Sequence, residues 1–148
     1  MEIYLETQLL GGMQIQINRA PINGFISSKA PALLVYLAVN QRAHQRETLA
    51  SLLWGEMPDA DARNNLRQAL SNLRKFFRPY LKITHDTVQF NAELPYVLDV
   101  EHFIHAFEAG NLEKAITIYQ GSFLEGIAIR EAPLFEEWAF MQQARLHE

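Results

Sequence analysis

From Ala62 to Pro79 the chain reads ARNNLRQALSNLRKFFRP, a run with five cationic side chains and no acidic one. Wound as a helix at about 100° per residue, it gathers Leu66, Ala69, Leu70, Leu73 and Phe77 into one narrow sector. That stripe demands a partner layer. The opposite side, Asn64, Arg67, Gln68, Ser71, Lys75 and Arg78, with Arg63 and Arg74 on the flank, must face solvent or a ligand. A helix that only solvates a protein usually intersperses Glu with Lys, because such i,i+4 pairs stabilise it. This one forgoes them.

The feature is out of keeping with the whole chain, which has 148 residues and a net charge of −4. Residues 1–85 carry ten Lys/Arg against six Asp/Glu, and residues 86–148 three against eleven, giving +4 and −8. The basic part suits a polyanion and the acidic part would be repelled by one. No cysteine is present, which removes disulfides, thiolate metal sites and a cysteine nucleophile. The first residues lack a basic stretch followed by a long apolar run, and no stretch approaches the roughly 20 apolar residues needed to cross a bilayer. A cytoplasmic protein without membrane contact is expected.

Around the basic helix the pattern changes twice. EIYLET and MQIQIN alternate apolar and polar residues, which predicts a β-hairpin turning at Gly11 and Gly12. A glycine pair can also cradle phosphate, but no helix opens directly behind this one. A third short strand is expected around Phe25 and Ile26, after the Asn23-Gly24 turn signal. Ser27 or Ser28 then caps a helix whose stripe is Leu33, Leu34, Leu37 and Ala38, with Asn40 as its stop. RETLASLLWG makes a second helix with Leu49, Leu52 and Leu53 inside, Trp54 as a core plug and Gly55 as the end. Asp59 or Asp61 caps the third, basic helix. LKITHDTVQF divides into two strands around His85-Asp86, and PYVLDV adds another strand.

From residue 100 the pattern is helical. Phe103, Ile104 and Phe107 share a face. Asn111 caps a helix with Leu112, Ala115, Ile116 and Tyr119 at i, i+3, i+4 and i+7, closed by Gly121. Pro133 opens a last helix with Leu134, Phe135, Trp138, Met141 and the Arg145 stem along one side. Phe123, Leu124, Ile127, Ile129 and Trp138 read as core. No capping signal ends the chain, so this segment is expected to be truncated.

Two helices, a basic third helix and a hairpin are the order of a winged helix-turn-helix, in which the third helix enters the major groove. Arg can grip guanine and Asn or Gln adenine through two hydrogen bonds, while Lys and Arg at the helix borders neutralise phosphates. The candidate base readers are therefore Asn64, Arg67, Gln68 and Ser71. Backbone contacts fall to Arg63, Arg74, Lys75 and Arg78, with Lys82, Thr84 and Thr87 from the hairpin; His85 is read as a turn residue. The recognition helix spans about 61–77 and the wing about 81–91. The simpler alternative is a basic helix that happens to lack acids.

The run LLVYLAVNQRAHQRETLASLLWGEMPDADARNNLRQALSNLRKFF resembles the Streptomyces antibiotic regulatory protein (SARP) family. YVLDVEHFIHAF and AITIYQGSFLEGIAIREAPLFEEWAFMQQARL resemble the opening of that family's bacterial transcriptional activator domain, with a shorter stretch between the two pieces than relatives usually carry. The resemblance implies an α+β chain: an OmpR-type winged helix with an N-terminal antiparallel β-sheet and a C-terminal wing hairpin at 1–99, then an all-α tetratricopeptide-repeat-like (TPR-like) segment at 100–148. It implies a transcriptional activator that binds direct repeats in double-stranded promoter DNA, protomers side by side, and helps recruit RNA polymerase holoenzyme. An adaptor in which the same helix docks an acidic protein is the alternative. His102 and His105 beside Glu101 could share a metal, but no third ligand has fitting spacing. Glu131, Glu136 and Glu137 suit a helix N-terminus rather than acid/base chemistry. No catalytic residue, metal or cofactor is expected.

Overall fold

The computed structural model describes residues 3–147. Glu2 and Glu148, which the sequence reading includes in the first strand and the last helix, lie outside them. Among the described residues the fold is mixed α+β, with six α-helices and two small sheets. Its contacts divide it into two compact units, one of residues 1–22, 95–128 and 138–148, the other of residues 23–94 and 129–137. These ranges do not coincide with a division at residue 99.

The first unit holds a sheet ordered β3-β2-β1-β7. Strand β1 (Leu5–Gln8) runs antiparallel to β2 (Gln14–Ile17), with the turn at Gly11 and Gly12 as expected. Strand β7 (Tyr96–Leu98) pairs parallel with β1, Leu5 opposite Tyr96. Strand β3 is Ala20–Pro21, reached through Asn18 and Arg19, both at positive φ. Two consecutive residues of that hand make the tight turn whose twist matches a hairpin. The strand expected at Phe25 and Ile26 is absent: those residues form no ladder.

Helix α4 (Asp99–Glu108) follows β7 directly, and the Asp99 carboxylate accepts the backbone N–H groups of Leu9 and Leu10 at 2.9 Å. Helix α5 (Leu112–Ile118) packs on α4 and is capped by Asn111, which accepts from the Lys114 N–H. It ends at Ile118, so Gly121 stands beyond the helix instead of closing it. There Gly121 lets two chain segments touch: a Cβ on it would lie 2.8 Å from the Gly11 Cα. A short bridge between Leu10 and Phe123 continues this contact.

Burial of the Asp99 carboxyl outweighs its backbone hydrogen bonds and raises its pKa above the usual carboxylate value. The folded chain therefore binds this proton more tightly than the unfolded chain does. The contribution is fully present below the unfolded pKa and is lost as pH rises through the higher folded one. The thermal midpoint of the parent, relative to Asp99→Asn, is expected to fall as pH rises from about 4. Parallel melts across pH check it; a constant difference would mean Asp99 does not titrate in that window.

The second unit is built on helices α1 (Lys29–Val39), α2 (Arg46–Trp54) and α3 (Asp59–Phe77), with α3 packed against both others. Leu33, Leu34 and Leu37 of α1 and Leu49 and Leu53 of α2 are fully buried, and so are Leu73 and Phe77 of α3. Each such side chain contributes about 1.5–3 kcal/mol relative to leaving it in water. Trp54 is buried as expected, with the Lys29 ammonium 5.7 Å from the ring centroid. Ser28 occupies the N-cap position of α1 without a side-chain cap bond; the Ser27 hydroxyl accepts the Lys29 N–H instead. Gly55 ends α2 in a right-handed conformation, so the left-handed glycine stop is not used. Helix α3 begins at Asp59 after Pro58, and neither Asp59 nor Asp61 caps it. Both lie in its first turn, where the positive end of the helix dipole favours them.

The unit also holds a three-stranded sheet ordered β4-β6-β5, two of whose strands follow α3. Strands β5 (Leu81–Ile83) and β6 (Thr87–Phe90) form the expected hairpin, with His85 and Asp86 at its turn. Strand β4 (His44–Gln45), unannounced by the sequence pattern, pairs with β6. Helix α6 (Pro133–His147) shows a further correction. Leu134 and Met141, expected on its buried stripe, are exposed, as is Arg145. Phe135 is buried as expected, and Ala139 and Leu146 join it. Large apolar residues occur all round this helix, so its periodicity cannot select a face.

Candidate nucleic-acid interface

The stripe of α3 is buried as its spacing requires: Ala62, Leu66, Ala69, Leu70, Leu73 and Phe77 are inside. One more residue joins them. Asn72 is 3% exposed; its amide oxygen accepts the Ile26 N–H at 3.0 Å and its nitrogen donates to the Gly24 carbonyl at 3.3 Å. This is the physical reason no strand forms at Phe25 and Ile26, since part of that backbone is bonded to a helix side chain. Phe25 completes the clasp by stacking on Phe77 at 6.1 Å and meeting Phe76 edge-on at 6.2 Å. The long axis of α3 is thereby tied to the segment that precedes α1.

With that side anchored, the opposite side is open. Asn64, Arg67, Gln68 and Ser71 are all exposed, as are Arg63, Arg74, Lys75 and Arg78. Asn64, Arg67, Gln68 and Ser71 stand at i, i+3, i+4 and i+7, so they form one row about 10 Å long. Asn65 is set apart from the row: its side chain donates back to the Asp61 carbonyl. Among the described residues, no acidic side chain lies within 4.0 Å of any of the five cations between Arg63 and Arg78. Helix-dipole complementarity accounts for Arg74 and Lys75 in the last turn. It gives no support to Arg63 and Arg67 in the first half, so their presence calls for another cause.

The hairpin residues divide differently. Lys82 is exposed and 4.0 Å from Glu93. Thr84 and Thr87 are engaged with each other: the Thr84 hydroxyl accepts the Asp86 and Thr87 N–H groups and lies 2.8 Å from the Thr87 hydroxyl. They shape the turn, and Thr87 is only half exposed. His85, at the tip, has a side chain 98% exposed.

Arg46 escaped the sequence reading. Its backbone N–H donates to the Asp86 carbonyl at 2.9 Å and its Nε to the Thr84 carbonyl at 3.3 Å, so it holds the hairpin turn to the start of α2. A cleft of about 630 Å³ opens beside it, lined by Gln45, Arg46, Glu47, Arg63, Leu66, Arg67, His85 and Asp86. One signal for Arg46 was available: it is a cation in the first turn of a helix, where the dipole disfavours it. The cleft brings Arg63 and Arg67 of α3 together with the hairpin tip. It does not include Lys75, further along α3, or Arg78, just past its end.

Neither a protein-family model nor a curated protein matches the chain. Among solved structures, the fold is similar to that of Mycobacterium tuberculosis EmbR in complex with a low-affinity phosphopeptide, at a TM-score of 0.67 and 23% sequence identity. The match covers 99% of this chain and 44% of the EmbR chain.

Proposed function

We propose that the chain is a sequence-specific DNA-binding transcriptional regulator of the SARP type. The observation that carries this reading is the exposed row on α3, with its arginines unpaired and the helix anchored from behind. Helix α3 enters the major groove with Asn64, Arg67, Gln68 and Ser71 against base edges. Arg63, Arg74, Lys75 and Arg78 neutralise phosphates. The hairpin β5–β6 serves as the wing, with Lys82 and the Thr84–Thr87 turn on the backbone or minor groove. Residues 1–99 form the winged-helix DNA-binding segment, and residues 100–148 begin a TPR-like activator module, as the resemblance implies. The regulator acts in the cytoplasm as an activator, binds direct repeats as adjacent protomers and helps recruit RNA polymerase holoenzyme. EmbR's fold similarity supports the regulator reading. A phosphopeptide is bound by EmbR, whose longer chain includes parts with no counterpart here.

Selection from a random DNA pool with the full chain tests the proposal. The parent is expected to enrich a repeat spaced by about one helical turn, roughly 10–11 base pairs. Arg67→Ala and Gln68→Ala should each lose about 1–3 kcal/mol of preference at single base positions while still binding DNA. A pool that stays random, with an acidic protein bound by the same face, would replace this reading with the adaptor one.

A further inference from the structure

Asn72 occupies the boundary between the two sides of α3. It follows Gln68 by four residues and Ala69 by three, so its side chain leaves the axis about 40° from a member of the outer row and about 60° from a member of the buried stripe. A polar residue at such a border would ordinarily reach water. Asn72 is instead 3% exposed, because residues 24–26 take up its amide at both ends: the oxygen accepts the Ile26 N–H and the nitrogen donates to the Gly24 carbonyl. The Ile26 side chain is 57% exposed, so burial of that residue does not hold the segment in place.

Burial of the apolar stripe is non-directional and decides which side of α3 faces inward. It limits the fine roll of the helix about its axis less than hydrogen bonds do, since those weaken outside a distance window of about half an ångström. Roll matters on the outer side. At a radius of about 5–6 Å, a roll of about 10° shifts a side-chain atom by about 1 Å. That is enough to break a two-bond contact to a base edge, whose distances span about 2.7–3.2 Å. A phosphate contact from a long, flexible Lys or Arg absorbs the same shift by a change of rotamer.

We propose that Asn72 is a positioning residue for sequence recognition, a role that rests on the DNA-binding reading given above. Its two hydrogen bonds set the roll of α3, and so the register of Asn64, Arg67, Gln68 and Ser71 against the bases. Asn72 itself touches no base. Two properties of the helix are thereby separated: its cationic borders give affinity for any duplex, and the amide lock gives preference among duplexes.

Asn72→Leu, close in volume, and Asn72→Ala, which favours the helix, each remove both bonds. Fluorescence anisotropy of the full chain compares them with the parent on a duplex enriched from the random pool and on copies of it with one base pair exchanged. The temperature is one at which circular dichroism shows each variant folded. The preference for the enriched duplex is expected to fall by about fivefold or more in both variants, with affinity for an unrelated duplex within about twofold of the parent's. Phe25→Leu loosens the same segment without touching the amide and should keep the parent's preference. Amide hydrogen exchange at Ile26 should be slow in the parent and fast in both Asn72 variants. If Asn72 only stabilised the fold, its variants would melt earlier yet discriminate like the parent while folded. That result, an equal loss of preference in Phe25→Leu, or rapid Ile26 exchange in the parent would overturn the proposal. A parent without any base preference would instead overturn the DNA-binding reading, and this role with it.

Discussion

Phe77→Ala is expected to lower stability by about 3–5 kcal/mol, a large fraction of the 5–15 kcal/mol typical of a folded domain. Phe77 is 0% exposed and is the last residue of α3. Its ring lies 6.1 Å from both Phe25 and Phe76. Truncation would remove the transfer free energy of the ring and leave a cavity where the chain before α1 meets the helix that carries the cationic row. Phe77→Leu keeps most of the volume and should cost distinctly less. Urea denaturation followed by far-UV circular dichroism checks both. Equal losses for the two variants would mean that the pocket collapses and the clasp contributes little.

The second large effect concerns charge. In the triple variant Arg74→Ala, Lys75→Ala and Arg78→Ala, the slope of log affinity against log salt is expected to become shallower by about 2.7. Each phosphate contact releases counterions worth roughly 0.9 in that slope. Sequence preference should survive, because the variant leaves Arg67 and Gln68 in place. Arg74 and Lys75 also stabilise the end of the helix by about 0.3–1 kcal/mol each, so a melt must accompany the titration. Fluorescence anisotropy from low to moderate salt gives the slope. An unchanged slope would place these three side chains in solvent rather than on phosphate.

Much of the fold was legible in the sequence because its strongest signals are periodic. The stripe of α3 and the caps and turns at Asn111, Gly11-Gly12 and His85-Asp86 follow from local chemistry, and they reappear in the structure. What escaped depends on contacts distant in the chain. Asn72 reads as one more polar residue on a basic helix. Only the Gly24 carbonyl and the Ile26 N–H, 46 to 48 residues earlier, make it a buried fastener. The two-residue strand His44–Gln45 is too short to carry an alternation, and its pairing with β6 supplies what its sequence lacks. On α6 the apolar residues are spread around the axis, so tertiary packing selected the inner side. For the candidate interface, composition and spacing located the row on α3. Arg46 was missed because it reaches the cleft through a hairpin turn about forty residues away in sequence.

The parallel pairing of β1 with β7 sets Leu5 opposite Tyr96, a separation of 91 residues. During synthesis the N-terminal meander must therefore wait, one border unzipped, until everything up to Tyr96 has left the ribosome. Closing so long a loop is slow, though its entropic cost grows only logarithmically with length. In that interval the bare side of β1 is a template for any passing extended chain. The nascent protein is thus most vulnerable to aggregation just before the strand that completes its first sheet arrives.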